Sequence, residues 1–229
     1  IIYAKDVNLD NRLFEKEVLN WANKDKGIQR TNVKGWHSTT DMHKIPVFKP
    51  LVDELFKMQN EIFKEKPISN LKGGMGYNNG LILFILFSHY QPRVIVESGI
   101  WRGFTTYLID KATIDESKIY CFDIDLSRKE FHSEKATYYE NDITQFNDID
   151  LRTVDFAFFD DHVSIYERLK LCLKNKIEVV VVDDDVSLTQ VHSDGSPPVP
   201  TASMIFNYDS IPKKFDWVSK GKTCSLDIS

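Results

Sequence analysis

Carboxylates recur in one kind of place along this chain, just after short runs of β-branched and aromatic residues. Glu97 closes Val94-Ile95-Val96-Glu97, Asp123 closes Ile119-Tyr120-Cys121-Phe122-Asp123, and Asp160 follows Phe156-Ala157-Phe158-Phe159. Asp183, Asp184 and Asp185 follow Val179-Val180-Val181-Val182, and Asp142 comes shortly after Ala136-Thr137-Tyr138-Tyr139. Continuous runs of this kind suit strands buried on both faces, as in a parallel sheet. Ligands of such sheets sit beyond the carboxyl ends of the strands. Acids at these ends therefore predict one acidic rim and a site on it. Clustered carboxylates repel unless they are protonated, solvated or held by a cation.

The first run leads into Glu97-Ser98-Gly99-Ile100-Trp101-Arg102-Gly103. Gly99 is expected to permit a tight turn and close backbone approach, and Gly103 to let the next helix pack on the strand. A pyrophosphate turn would read G-x-G-x-x-G over a helix N-terminus. Here the first of those glycines is missing and an acid stands where phosphates would come close. That suits a ligand carrying an ammonium and a sulfonium, although an ordinary strand-to-helix turn explains the motif too. Asp123 can accept both hydroxyls of a ribose. Asp125 reads as a helix cap or a solvated group. Asn141-Asp142-Ile143 is placed to meet an adenine edge, with an Asx turn as an equal explanation for Asp142.

Glu97-x-Gly99-x-x-x-Gly103, then Asp123, then Asn141-Asp142, resembles the cofactor signature of class I S-adenosylmethionine-dependent methyltransferases, over about Asn78 to Asp185. Val96 to Gly103, and Phe158-Phe159-Asp160-Asp161-His162 with Tyr166-Glu167-Arg168-Leu169, resemble a narrower branch: the cephalosporin-hydroxylase-like and small-molecule O-methyltransferases. The resemblance implies S-adenosylmethionine as cofactor. Glu97 and Gly99 would face its methionine moiety, with Ser98 and Gly103 in the same loop, Asp123 at the ribose and Asp142 at the adenine end.

In catechol-type metal-dependent members, an Asp after the fourth strand and an Asp-Asn after the fifth hold Mg²⁺. Aligned on the strand ends, those positions fall on Asp160, Asp184 and Asp185. The Asn is replaced here by Asp185, and the lysine base of that family falls on Val163. His162 stands one residue nearer to Asp160 and is suited to proton abstraction near neutral pH. The competing reading has Asp160 contacting the cofactor and Asp183 to Asp185 forming a solvated turn. The implied reaction is methyl transfer to a hydroxyl of a small polar acceptor, with His162 and Asp160 as catalytic residues. Hydroxylase-type chemistry, or a binding or scaffold protein without turnover, remains an alternative on the same fold.

These residues need elements to position them. From residue 77 onward strand and helix patterns alternate, which predicts an α/β fold with a doubly wound, mostly parallel, Rossmann-like sheet. Ile165, Tyr166, Leu169, Cys172 and Leu173 mark one helix between strands. Residues 1–76 read as an N-terminal helical cap and residues 77–229 as the S-adenosylmethionine-binding domain. In the cap, Leu13, Phe14, Glu17, Val18 and Trp21 share one helical stripe, and a second helix opens at Pro50. Gly73-Gly74-Met75-Gly76 breaks the chain, after which Asn78 or Asn79 can cap a helix through Leu81 to Phe87. Trp36, His37 and His43 lie in an irregular stretch and read as packing residues of the cap, with a loop that closes over an acceptor as the alternative. Met204-Ile205-Phe206 and Phe215-Trp217-Val218 are expected as strands completing the sheet edge, after a Gly195 to Pro200 loop near the site.

Composition narrows the partners. The chain has 229 residues, 42% hydrophobic and 28% charged, enough to bury a core without disulfides or metals. Cys121, Cys172 and Cys224 are odd in number and widely spaced, which points to a reducing cytosol. A net charge of −5 with lysines spread along the chain argues against nucleic-acid backbone binding. The longest apolar run, Leu81 to Phe87, is too short to cross a bilayer. No signal peptide is visible, though Ile1 leaves a trimmed start open. The expectation is a cytoplasmic protein acting on a small molecule, with neither nucleic acid nor membrane as partner and a homo-oligomer left open.

Overall fold

The structure is a computed structural model that describes residues 16, 19–20, 23–24, 46, 49–145, 149–183, 199–207, 210–219 and 221–227. The chain forms two compact units, residues 1–66 and 67–229. Helix α1 (Lys49–Lys64) belongs to the first, with Pro50 in its opening turn, where a missing N–H costs nothing. The expected stripe of Leu13, Phe14, Glu17, Val18 and Trp21, and the stretch with Trp36, His37 and His43, lie outside the described residues.

The second unit opens with α2 (Tyr77–Tyr90). Its N-cap is Gly76 in extended backbone, not Asn78 or Asn79, which already lie inside the first turn. Five parallel strands follow: β1 (Val94–Ser98), β2 (Lys118–Asp123), β3 (Ala136–Glu140), β4 (Phe156–Phe159) and β5 (Val179–Val182), in the order β3-β2-β1-β4-β5. Helix α3 (Phe104–Ala112) connects β1 to β2, and α4 (Ile165–Asn175) connects β4 to β5. The described connections from β2 to β3 and from β3 to β4 contain only short 3-10 turns.

Strand alternation sorts the core onto two faces. Val96, Phe122, Ala157 and Phe159 pack with Cys172 of α4 in one cluster. Residues of the opposite parity turn the other way: Phe156 meets Phe87 of α2 at 4.2 Å between ring centroids, and Glu97 bonds to Thr106 of α3. The sheet is thus covered on both faces and doubly wound, as the alternation predicts. At the end of α2, Gln91 adopts a left-handed conformation, and its side chain donates to Ser88 O and Ala112 O at 2.8 Å each. It ties the carboxyl ends of α2 and α3 together.

The tail departs from expectation twice. Met204-Ile205-Phe206 lies in a short helix, α5 (Ala202–Asn207), rather than a strand. The Thr201 hydroxyl accepts from Met204 N at 3.3 Å, an N-cap bond that starts this helix. Phe215, Trp217 and Val218 do form a strand, β6 (Lys214–Ser219), but it pairs with β7 (Lys222–Asp227) as a separate antiparallel ribbon, not at the sheet edge. Gly221, with a φ of 76°, supplies the left-handed residue that lets the chain turn back. Val199, Met204, Phe215 and Trp217 give this tail a small core of its own. Among the described residues, no helix is long and apolar enough to cross a membrane.

Candidate functional site

Strand order reverses between β1 and β4, and an open parallel sheet binds its ligands at such a point. Two loops meet there. The Gly99 amide donates to Phe122 O at 2.9 Å, and the Asp160 amide to Ser98 O at 2.8 Å. Gly99 has a φ of 90°, and a Cβ on it would overlap the carbonyl of Asp160 and the amide of Asp161. The Asp160-Asp161 peptide therefore forms the floor of the crevice directly against Gly99. Gly103, with a φ of 87°, starts α3. A Cβ there would come within 3.2 Å of the Phe131 Cβ. Both glycines serve the packing of the chain on itself.

The loop between them is held from outside. Trp101 has a φ of 50°, its indole N–H donates to Lys72 O at 3.4 Å, and the Arg128 guanidinium lies 4.6 Å from its ring. Arg102 pairs with Glu130, which also accepts from the Ser69 amide at 2.7 Å. The residues before α2 are thereby fastened to the loop after β1.

Glu97 lies fully buried in β1. Its Oε2 accepts from Thr106 Oγ1 at 2.7 Å and from the Cys121 thiol at 3.3 Å, while Oε1 is buried with no partner. Burial pushes its pKa from 4.5 up to about 7; the negative charge of Asp123 adds to that, and the two hydrogen bonds oppose it. A buried carboxyl with one unsatisfied oxygen is costly unless something completes it. A ligand ammonium or other donor would do so.

Asp123 ends β2 with both oxygens engaged. Oδ2 accepts from the amides of Ile100 and Trp101 at 2.7 and 3.0 Å, and Oδ1 from the Asp125 amide at 3.0 Å. It thus braces the Gly99 loop. Asp125 caps the following 3-10 turn, accepting from the Ser127 amide, which agrees with the cap expected there.

Asp142 follows β3 and enters an ion cluster. Its carboxylate accepts from Arg168 at 2.5 and 3.3 Å, and from the Thr144 amide and hydroxyl at 2.8 and 2.5 Å. Burial would raise its pKa, but the bonds from Arg168 and Thr144 outweigh that and hold it at about 2. The Asx turn is present, alongside an ion pair that the sequence does not reveal. Arg168 is 1% exposed, and its Nε also donates to Asp161 Oδ2 at 2.8 Å. Asp161 Oδ2 in turn accepts from Ser98 Oγ at 2.6 Å. The neighbouring Asn141 has a buried Oδ1 without a partner.

Sequence reasoning places Arg168 within a motif and misses its role. The buried residues of α4 are Ile165, Arg168 and Cys172, while Leu173 is 78% exposed. A cation in step with the apolar pair is the available signal.

Asp160 and Asp183 each stand one residue beyond the paired ends Phe159 and Val182. Both line one small cavity with His162, Val163 and Arg168. His162 has a φ of 57°, and its Nε2 lies 3.9 Å from Asp160 Oδ1. Asp184 and Asp185 lie outside the described residues. Among the described residues, no three His, Cys, Asp or Glu side chains form a group that could hold a metal.

The structure thus brings Glu97, Ser98, Gly99, Gly103, Asp123, Asp142, Asp160 and His162 to the carboxyl ends of the strands and the loops that leave them. Of these, Glu97 keeps a buried oxygen that an ammonium would complete, while Asp123 and Asp142 are bonded within the chain. Two unpartnered buried acceptors, Glu97 Oε1 and Asn141 Oδ1, lie at or near the ends of β1 and β3. The acid Asp123 stands between them at the end of β2.

No protein-family model matches the chain, and no curated protein does either. Solved structures similar to it include a putative O-methyltransferase from Klebsiella pneumoniae, at 14% identity and a TM-score of 0.47, covering 77% of this chain and 87% of that one. An O-methyltransferase from Bacillus cereus in complex with SAH shows 14% identity and a TM-score of 0.45, over 91% and 96% of the two chains. TomG from Streptomyces achromogenes, an O-methyltransferase involved in tomaymycin synthesis and solved with SAM, shows 17% identity and a TM-score of 0.43, over 77% and 91%. Likenesses this distant decide nothing about chemistry, which has to come from the rim itself.

Proposed function

We propose that this chain is an S-adenosylmethionine-dependent methyltransferase that acts on a hydroxyl of a small polar acceptor. The observation that carries the reading is the buried, unpartnered Oε1 of Glu97 beside the Gly99 loop at the strand-order reversal. Bound cofactor would supply a methyl group on a sulfonium, already a good leaving group. The chain's own tasks are then binding, orientation and removal of the acceptor proton.

In this reading Glu97, ionised, takes the ammonium of the methionine moiety, and Ser98, Gly99 and Gly103 line that part of the site. Asp123 receives the ribose hydroxyls by giving up its bonds to the Ile100 and Trp101 amides. Asn141 and Asp142 stand at the adenine end. His162 serves as the general base, with Asp160 as its neighbour at 3.9 Å. Mg²⁺ held by Asp160, Asp184 and Asp185 is a further part of the proposal. An oxygen-only donor set suits that ion, whose role would be to acidify and orient the acceptor hydroxyl. The expected setting is the cytoplasm, with a small-molecule acceptor as partner and no role for nucleic acid or membrane.

One observation favours a second reading, a binding protein without turnover: both oxygens of Asp123 are already spent on the loop. Calorimetric titration with S-adenosylhomocysteine tests the cofactor assignment. The unaltered chain should bind, and Asp123→Ala should weaken binding by about 1–3 kcal/mol, the worth of a lost buried hydrogen-bonding group. No binding, or unchanged affinity in the variant, overturns it. Mg²⁺ titrated into the S-adenosylhomocysteine-loaded chain should give a binding heat that Asp160→Asn abolishes. Equal heats from both proteins would remove the metal from the reading.

A further inference from the structure

Arg168 is a buried cation that touches the acidic rim from behind, from α4 rather than from any strand. It spans two carboxylates on separate loops: Asp142 after β3 and Asp161 after β4. Asp161 passes the connection on to the end of β1, because its Oδ2 accepts from Ser98 Oγ at 2.6 Å. Asp161 also shares its peptide with Asp160, and that peptide is what fills the space beside Gly99. A shift of Asp161 is therefore a shift of the crevice floor. Three loop ends at the strand-order reversal hang on one guanidinium.

We propose that Arg168 is the positioning residue of this rim. Through Asp161 and Ser98 it sets the spacing of the β1 and β4 loops, and through Asp142 it holds the β3 loop, so that an adenosyl ligand meets all three already in place. The inference rests on the methyltransferase reading for its ligand and goes beyond it in assigning this role. A planar fork suits the task, since its nitrogens reach Asp142 and Asp161 together, which a lysine ammonium does at one point only. Without Arg168 two largely buried carboxylates would face each other unpaired, and their repulsion would spread the loops.

The test uses S-adenosylhomocysteine calorimetry and thermal melting on the full chain, with Arg168→Lys, Ser98→Ala and the double variant. Arg168→Lys should weaken binding by about tenfold, equivalent to about 1.4 kcal/mol. Ser98→Ala, which removes the hydroxyl bonded to Asp161, should weaken it several-fold with its melting temperature nearly unchanged. The double variant should bind no more weakly than Arg168→Lys, because both changes cut the same chain of contacts. Strict additivity would show that Ser98 and Arg168 act separately and would overturn the inference. So would unchanged affinity in both single variants, even if both melt earlier, since Arg168 would then only hold the fold. If the unaltered chain does not bind, the methyltransferase reading falls and takes this inference with it. The inference alone falls if the unaltered chain binds and the variants bind equally well.

Discussion

Two groups of acids share one rim and are treated in opposite ways. On the β1–β2 side, Glu97 is buried against Thr106 and Cys121 and has no cation bonded to it among the described residues, and its pKa rises to about 7. On the β3–β4 side, Asp142 and Asp161 are paired with the buried Arg168, and Asp142 falls to about 2. Burial raises both carboxyls; the presence of a cation decides the outcome. An acid whose charge is already balanced has little left to offer a ligand, whereas an unbalanced one with an unpartnered oxygen does. The contrast leaves Glu97 with an oxygen to offer a ligand and ties Asp142 and Asp161 to the packing of their loops.

The sharpest way to break this comparison is to titrate stability around Glu97. Its folded pKa of about 7 lies above the ordinary carboxyl value of 4.5, so the proton is held more tightly in the folded chain. The stability this contributes is full below pH 4.5 and is lost as the pH rises to 7 and beyond. The loss should be about 3 kcal/mol, because each tenfold gain in proton affinity is worth roughly 1.4 kcal/mol. Denaturant unfolding at pH 5 and pH 8 should show this fall in the unaltered chain, and Glu97→Gln should lack most of it. Identical pH dependence in the two would mean that Glu97 is not the buried acid described. Thr106 of α3, Cys121 and Asp123 of β2 and Tyr138 of β3 are the groups that face it.

The paired side should give a smaller effect at the other end of the scale. Asp142 is held at about 2 against an ordinary value of 3.8, so its contribution is present above pH 3.8 and disappears as the pH falls through 2. After allowance for its partial exposure this amounts to about 1–2 kcal/mol. Acid unfolding of Asp142→Asn should lack this limb while keeping the fall above pH 5 that belongs to Glu97. If Asp142→Asn flattened both limbs, the two sides would be one coupled system and the contrast would not hold.

Much of the scaffold is legible in the sequence because parallel strands carry a strong local signal. Phe156-Ala157-Phe158-Phe159 and Val179-Val180-Val181-Val182 coincide with β4, which is buried throughout, and with β5, a half-buried edge strand; both show as unbroken apolar runs. Met204-Ile205-Phe206 shows the limit of that signal. Three apolar residues have no period, and the deciding information is Thr201 as a cap. Phe215 to Val218 is recognisable as a strand, but its partner depends on the turn at Gly221. In the site, positions follow from strand ends, while bonding partners do not. No spacing rule could show that Arg168 would reach Asp142 and Asp161, or that the Asp123 oxygens would brace the glycine loop.

The contact beneath Gly99 has a practical consequence for experiment. What fills that space is main chain, the peptide joining Asp160 to Asp161, and every amino acid but proline supplies the same main chain there. The floor of the crevice thus needs no particular side chain at position 160 and tolerates none at position 99, while the Asp161 carboxylate ties it to Ser98 and Arg168. Chemical questions about Asp160 can accordingly be asked with Asp160→Asn while the shape beneath the ligand stays as it is. Position 99 offers no such freedom, and a library built around this rim should leave it fixed and spend its diversity across the gap.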